Sequence, residues 1–331
     1  MDPYIYRLSR FIILFIFAIP SLICFLLIFF FLFKNGEINH KRLQNHIIVV
    51  FLFCNFFLVT TELPITLIYS YEGYVLPQIE QFCSFWVAHN YGLYCVGLML
   101  MAFGSIERYF LIFHERLMHR WRFIVHYPGI FICFIYPPLF YHLVVNFYPC
   151  ENNYDYEYYV CGGACYQFEH VISIIDYLLN VASPTIIIVL ANMILLYRVI
   201  NQKRAMKLAN TWQKNQLMYV QLVSISVLYL IIWIPFVIIS LIRLFYDPFF
   251  LQDVILLIIN YCLYIIPLVS PFSCLIGLPK VRYQLRRRHW HSLWAHSINH
   301  NRIGPARTMD VVRTRQQHIL PSRQLENEHI C

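Results

Sequence analysis

The stretch CSFWVAHNYGLYCVGLMLMAFGSIERY, residues 83–109, carries a cysteine at one end and a charged triplet, Glu107-Arg108-Tyr109, at the other. The roughly 25 residues between Cys83 and Arg108 would rise about 37 Å as a helix, enough to cross a lipid bilayer. A single helix would therefore place a thiol at one membrane face and an ionic group at the other.

The composition around this stretch is that of a polytopic membrane protein. Hydrophobic residues make up 60% of the chain and charged residues 13%, whereas a soluble domain carries about 25% charged residues. Seven segments of about 20 or more mostly apolar residues are long enough to span a bilayer. In lipid such segments must satisfy their backbone hydrogen bonds internally, so each is predicted to be a helix. The predicted spans are residues 11–33, 46–70, 84–106, 123–146, 171–197, 217–243 and 252–277. The predicted fold class is an all-α membrane protein, a seven-transmembrane helix bundle.

The positive charge is distributed unevenly between the two faces of this bundle. All but three of the 25 Lys and Arg residues lie in the links after spans 1, 3 and 5 or after span 7; the exceptions are Arg7, Arg10 and Arg243. The positive-inside rule then places the N-terminus outside and the C-terminus in the cytosol of a multi-pass protein, expected in the plasma membrane. The net charge of +8 is explained by this topology, so no nucleic-acid partner is predicted.

Three regions follow from this topology. Residues 1–10 are expected to form a short extracellular N-terminus, residues 11–288 the seven-helix domain, and residues 289–331 a disordered cytosolic tail. After span 7, apolar residues at 278, 281 and 285 alternate with arginines. This spacing predicts a short amphipathic helix on the inner leaflet of the lipid bilayer.

Four cysteines fall on the outer face in this topology: Cys83, Cys150, Cys161 and Cys165. An even number in an oxidising compartment suggests two disulfides, for which three pairings exist. A Cys83–Cys165 bond would tie the loop after span 4 over the bundle entrance, with Cys150–Cys161 closing the loop on itself. A Cys83–Cys161 bond is the alternative that the sequence leaves open.

Taken together, the topology and the two ends of span 3 resemble those of the rhodopsin-like (class A) G-protein-coupled receptors. The resemblance covers roughly residues 11–288. Pro184 in span 5, Trp233-Ile234-Pro235 in span 6 and Ser270-Pro271 in span 7 stand where the family has a proline, Trp-x-Pro and Asn-Pro. The resemblance implies a receptor that binds an extracellular ligand and activates a heterotrimeric G protein, with arrestin as a further partner.

The family's coupling and switch roles are carried by matching positions in this chain. Glu107 and Arg108 are expected to pair and hold the inner end of span 3 closed. Pro235 removes a backbone hydrogen bond, so span 6 is expected to kink and pivot there, with Trp233 relaying ligand contact. The full predicted set is Glu107, Arg108, Tyr109, Trp233, Pro235 and Pro271.

The chain also departs from the family pattern. Thr60 stands where span 2 usually has an acid, with Glu62 two residues further on, and Cys274 replaces the usual Tyr of span 7. No internal sodium site is therefore expected, although Glu62 is a candidate for a different polar network. Asn215 stands where an acid often pairs with the arginine, which predicts a weaker latch and some basal activity.

The resemblance also defines the expected ligand pocket. Residue 90, where amine receptors carry Asp, is Asn, so an amine ligand held by an ion pair at that position is not expected. Residues 252–277 contain no Lys, which excludes a retinal Schiff base in span 7. Asp176 is the predicted counter-ion for a cationic ligand, or else a solvated residue at the pocket mouth. A peptide or a small polar ligand is favoured. The predicted lining is Asn90, Tyr91, Tyr94, Asp176, Tyr177, Asn180, Trp233, Phe236, Tyr261 and Tyr264.

Other classes of protein are less well supported. No phosphate loop, Cys-x-x-Cys or nucleophile motif stands inside the spans, so no enzyme, cofactor or metal site is predicted. A transporter would be expected to show repeats and several midplane charges, but Glu62 is almost alone there. A receptor-like scaffold that does not signal is the remaining alternative, because of the altered span 7 motif.

Overall fold

The computed structural model describes residues 3–34, 43–113, 118, 120–205, 209–247, 250–251 and 254–277. All of these belong to one unit of the chain, Met1–Gln284. The described residues contain helices, turns and bends but no strand. The predicted amphipathic helix and cytosolic tail lie outside the described residues.

In the described ranges seven helices follow one another, and several of them combine α-helical and π-helical segments. Helix α1 is Pro3–Lys34 and α2 joins Leu43–Phe57, Leu58–Glu62 and Leu63–Glu72. Helix α3 is Glu80–Phe113, and α4 joins Arg122–His126 and Tyr127–Phe147. Helix α5 joins His170–Asp176, Tyr177–Ala182 and Ser183–Ala205, and α6 is Ala209–Phe245. Helix α7 joins Ile255–Ile259, Asn260–Cys262 and Ile265–Gly277.

These helices confirm the predicted seven-helix bundle. Six of them are long and apolar enough to cross a membrane, and the apolar part of α7, Asn260–Leu275, is shorter. Helix α1 begins at Pro3, so most of the predicted N-terminal segment is helical. Large apolar side chains such as Phe17, Phe131 and Ile132 are exposed on the outside of the bundle, which is the surface that lipid would cover.

Helix α3 lies centrally in the bundle, packed against α2, α4 and α5, while α1 and α6 both pack against α7. Its side chains Trp86, Leu98 and Leu100 are fully buried. The main hydrophobic core runs from α1 and α2 to α6 and α7. The central position of α3 explains why both polar clusters described below include its residues.

Three π-helical segments end two residues before a proline. They are Leu58–Glu62 before Pro64, Arg122–His126 before Pro128 and Tyr177–Ala182 before Pro184. Proline has no N–H to donate and its ring clashes with the carbonyl four residues earlier, so the helix widens there. In α5 the carbonyl of Asn180, four residues before Pro184, accepts from the Cys95 thiol at 3.5 Å.

Residues 148–169 form the loop between α4 and α5, which two disulfides fasten. The bonds are Cys83–Cys161 and Cys150–Cys165, with Cα–Cα distances of 5.8 and 6.0 Å. The pairing of Cys83 with Cys165, the first expectation, is therefore wrong, and the Cys161 alternative holds. Sequence spacing did not distinguish the two cysteines, whereas the fold of the loop brings Cys161 to the outer end of α3.

The backbone of this loop makes a sharp left-handed turn at Cys161. Val160 and Cys161 both have φ of 52°, and Gly162 and Gly163 continue with φ of 77° and 92°. A β-branched residue rarely adopts this conformation. A hydrogen bond from Asp155 N to Cys161 O closes the turn within the loop, and one from Val75 N to Tyr156 O ties the loop to the link between α2 and α3.

Candidate functional site

At the outer half of the bundle, polar side chains converge on Glu62, the last residue of the π-helical segment in α2. One carboxylate oxygen, Oε1, accepts from Asn90 and Tyr264 at 2.6 Å, from Thr66 at 3.1 Å and from Trp86 at 3.4 Å. The other oxygen, Oε2, is buried and has no hydrogen-bond partner in the part of the chain that the structure describes. Glu62 is 0% exposed, so this acid is held inside the protein by α2, α3 and α7.

Tyr159 extends this network from the loop into the bundle. Its hydroxyl lies 2.8 Å from that of Tyr264 and accepts from Asn90 at 3.3 Å. Its ring packs against Trp86, Tyr69 and Tyr261. Burial raises the pKa of this phenol well above its usual value, with nearby Glu62 adding to the shift. The hydroxyl therefore stays protonated at physiological pH.

A second polar cluster surrounds Asp176 in α5. Its Oδ1 accepts from Asn180 at 2.7 Å, and its Oδ2 accepts from the Tyr166 hydroxyl at 3.2 Å. Tyr166 belongs to the loop, as Tyr159 does; Tyr166 is fully buried and Tyr159 is partly buried. Tyr91 of α3 lies beside this cluster and donates to Gln167 of the loop at 3.4 Å. Asp176 is buried and hydrogen-bonded, not solvated at the mouth.

The remaining predicted pocket residues lie around these clusters. Tyr94 packs edge-on against Tyr264, and no described residue forms a hydrogen bond with its buried hydroxyl. Tyr177 donates to the carbonyl of Val237, joining α5 to α6. Trp233 packs edge-on against Phe236, and the buried indole N–H of Trp233 likewise has no acceptor among the residues described. Tyr261 lies under the guanidinium of Arg10, 4.1 Å from its ring centre.

At the inner end of the bundle, Glu107 pairs with His126 rather than with Arg108, which corrects the predicted Glu107–Arg108 pair. The carboxylate contacts Nδ1 of His126, and Nε2 of that ring lies 3.2 Å from Nδ1 of His46. Glu107 and His126 are both buried. The π-helical segment before Pro128 ends at His126, and the sequence offered no sign of this contact between α3 and α4.

Arg108 lies beside this pair and points toward α6. Its Nη1 donates to Ser226 Oγ at 3.3 Å, and its side chain is 8% exposed. Tyr109, next in the chain, lies under the guanidinium of Arg198 from α5 at 5.0 Å. The side chain of Asn215, predicted to weaken the latch, lies outside the described residues. The described latch between α3 and α6 is thus a hydrogen bond to serine.

The prolines of the predicted switch lie inside helices. Pro235 is within α6, which is continuous from Ala209 to Phe245, and Pro271 is within the last segment of α7. Ser270 donates to the carbonyl of Pro267 at 3.1 Å, and Cys274 is fully buried. A Cβ on Gly97 would lie 2.9 Å from the Tyr229 hydroxyl, so α3 and α6 approach closely at this level.

The structure therefore separates the predicted pocket into two clusters and adds residues that sequence reasoning missed. The cluster around Glu62 contains four of the predicted pocket residues: Asn90, Tyr94, Tyr261 and Tyr264. The cluster around Asp176 contains Tyr91 and Asn180. The missed residues are Thr66, Trp86, His126, Tyr159, Tyr166 and Ser226. The Tyr-rich composition of the loop was visible in the sequence, but not which tyrosines point inward.

Comparison with known families agrees with this architecture. The family described as 7 transmembrane receptor (rhodopsin family) matches residues 26–273, about three quarters of the chain. The chain belongs to this family of rhodopsin-like receptors, as its third helix suggested. No curated protein matches it.

Proposed function

We propose that this chain is a plasma-membrane receptor that binds an extracellular peptide or small polar ligand and activates a heterotrimeric G protein. Membership in the rhodopsin family supports a receptor. The observation that carries the coupling step is Arg108, buried at the inner end of α3 and hydrogen-bonded to Ser226 of α6. Movement of α6 would break this bond and uncover the guanidinium for a partner.

The mechanism is a shift between closed and open states of the bundle. A ligand that contacts α3, α5, α6 and α7 shifts this equilibrium by its different affinity for the two states. Helix α6 then pivots at Pro235 and its inner end separates from α3. The G protein binds the basic inner face of the open state, and arrestin is proposed to recognise the same face.

Guanine-nucleotide exchange without ligand tests this proposal. Membranes that express the chain are mixed with a panel of G proteins, beside Arg108→Ala and, as a control, Arg243→Ala at the outer end of α6. We expect basal exchange on at least one G protein, lost in Arg108→Ala and kept in Arg243→Ala. Exchange no higher than in empty membranes would contradict the proposal.

A second candidate function is a receptor-like scaffold that does not signal. Ser270 and Cys274 favour it, since they replace the Asn and Tyr expected in α7. The same exchange assay separates the two functions, because a scaffold would stay silent with every G protein while still reaching the cell surface.

A further inference from the structure

Glu62 is a buried acid surrounded by hydrogen-bond donors, while burial away from water opposes the charged form of a carboxyl group. Four side chains, those of Thr66, Trp86, Asn90 and Tyr264, donate to Oε1. Hydrogen bonds from donors stabilise a carboxylate rather than a neutral acid. No described cation forms an ion pair with Glu62, and Arg10 instead stacks on the rings of Tyr6 and Tyr261.

The second oxygen of Glu62 differs from the first. Oε2 is buried and has no hydrogen-bond partner among the described residues. A buried acid in a membrane protein is costly unless a donor or a cation compensates it. A group that brought both a positive charge and N–H donors to Oε2 would complete the site.

Aromatic rings surround the same acid. Trp86 and Tyr159 pack edge to face with centroids 5.8 Å apart, and Tyr94 and Tyr264 do so at 5.9 Å. The faces of such rings attract cations, most strongly when water is excluded. The buried Tyr94 hydroxyl, which also has no partner within the described ranges, offers a further polar contact. The chemistry of the cluster thus matches an ammonium group on an apolar or aromatic body.

Asp176 does not offer the same opportunity. Both of its oxygens accept hydrogen bonds, one from Asn180 and one from Tyr166. An incoming cation would have to displace one of these partners. The unpaired oxygen makes Glu62 the better counter-ion, although the sequence pointed to Asp176.

We propose that Glu62 of α2 is the counter-ion for an ammonium group of the ligand, which enters beside Tyr159 and binds among the surrounding aromatic rings. This inference rests on the proposed receptor function and specifies the ligand's chemistry. The cation is held by α2, so the Asn at position 90 does not exclude it. Asn90 instead orients the acid by donating to Oε1.

Thermal unfolding of the purified, detergent-solubilised chain tests the site. The probes are 2-phenylethylamine and its uncharged analogue 2-phenylethanol, each titrated against the wild type, Glu62→Gln and the control Glu72→Gln, an exposed acid of the same helix. We expect the amine to raise the midpoint by about 2–4 °C at saturation, the alcohol to have little effect, and Glu62→Gln alone to lose the response. Equal shifts by amine and alcohol, or an unchanged response in Glu62→Gln, would overturn the proposal.

If Glu62→Gln does not fold, the difference between amine and alcohol on the wild type still decides, because the two probes differ only in the ammonium group that replaces the hydroxyl. The measurement needs no G protein. A failure here therefore leaves receptor coupling intact, and a failure of nucleotide exchange leaves the ammonium site intact.

Discussion

At the scale of single residues, the inner end of the bundle depends on where two charged side chains find partners. Glu107 and Arg108 are neighbours in sequence, yet Glu107 bonds to His126 of α4 and Arg108 bonds to Ser226 of α6. The acid thus joins α3 to α4, and the arginine is left to join α3 to α6. We call the Arg108–Ser226 hydrogen bond the latch and the Glu107–His126 contact the anchor. They are separate contacts and can be tested separately.

Removing the latch should raise basal signalling. Ser226→Ala loses the hydrogen bond from Arg108, a loss of about 1 kcal/mol of closed-state stability, or about fivefold in the closed-to-open ratio. Basal nucleotide exchange should rise by a similar factor when the open state is scarce. The matched control is Ser224→Ala, which is exposed on the same helix. Unchanged exchange in Ser226→Ala would show that this bond does not hold the closed state.

Removing the anchor should instead lower stability. His126→Ala leaves the buried Glu107 carboxylate without its partner, which should cost about 1–3 kcal/mol of unfolding free energy. Thermal unfolding in detergent measures this loss, with exposed His142→Ala of the same helix as the control. The double variant Glu107→Gln/His126→Ala should lose less than the sum of the two single variants. Strict additivity would mean that the pair is not coupled.

At the scale of elements, prolines and the loop turn decide which side chains face inward. The π-helical segment before Pro64 ends at Glu62, and the one before Pro128 ends at His126. The loop turn at Val160 to Gly163 similarly brings Tyr159 and Tyr166 toward the two acids. Local backbone irregularities therefore position both polar clusters.

The two glycines of the loop turn give a test of this element. Gly163, at φ 92° and ψ −178°, lies in a region that is essentially restricted to glycine, and a Cβ there would meet Gln167 at 2.3 Å. At Gly162, with φ 77°, the nearest atom is 3.8 Å away. Gly162→Ala should cost about 1–2 kcal/mol, and Gly163→Ala clearly more. Unfolding midpoints measure both, and equal losses would contradict the described turn.

At the scale of the whole molecule, two disulfides hold the loop over the outer end of the bundle. Cys83–Cys161 joins residues 78 apart in sequence, whereas Cys150–Cys165 joins residues 15 apart. Only the first connects the loop to α3. It therefore constrains the unfolded chain more and also holds Tyr159 near Glu62.

Replacing the cysteines in pairs should show this difference. Cys83→Ser/Cys161→Ser should destabilise the protein by about 1.5 kcal/mol more than Cys150→Ser/Cys165→Ser, from loop-closure entropy alone. Loss of the Tyr159 contacts should widen the gap. Unfolding midpoints under non-reducing conditions measure the difference. A larger loss in the second pair would argue against the described connectivity.

Much of the fold follows from the sequence read locally. The apolar runs, the excess of cations at one face and the two ends of residues 83–109 are sufficient to predict seven helices and the receptor family, because insertion into lipid depends on length and polarity. Helix α3 is one uninterrupted α-helix, Glu80–Phe113. Counting residues along it from Cys83 or Arg108 therefore gives a constant rise and rotation per residue.

What only the tertiary structure decided is which polar groups meet. Counting residues along α2 indicated Thr60 as the site of the usual acid, but the π-helical segment changes the register and Glu62 points inward. His126, Ser226, Tyr159 and the Cys161 pairing were equally hidden, because their partners lie on other elements. Contacts between segments depend on how helices rotate and pack, and a one-residue change in helix register turns a side chain by about 100°.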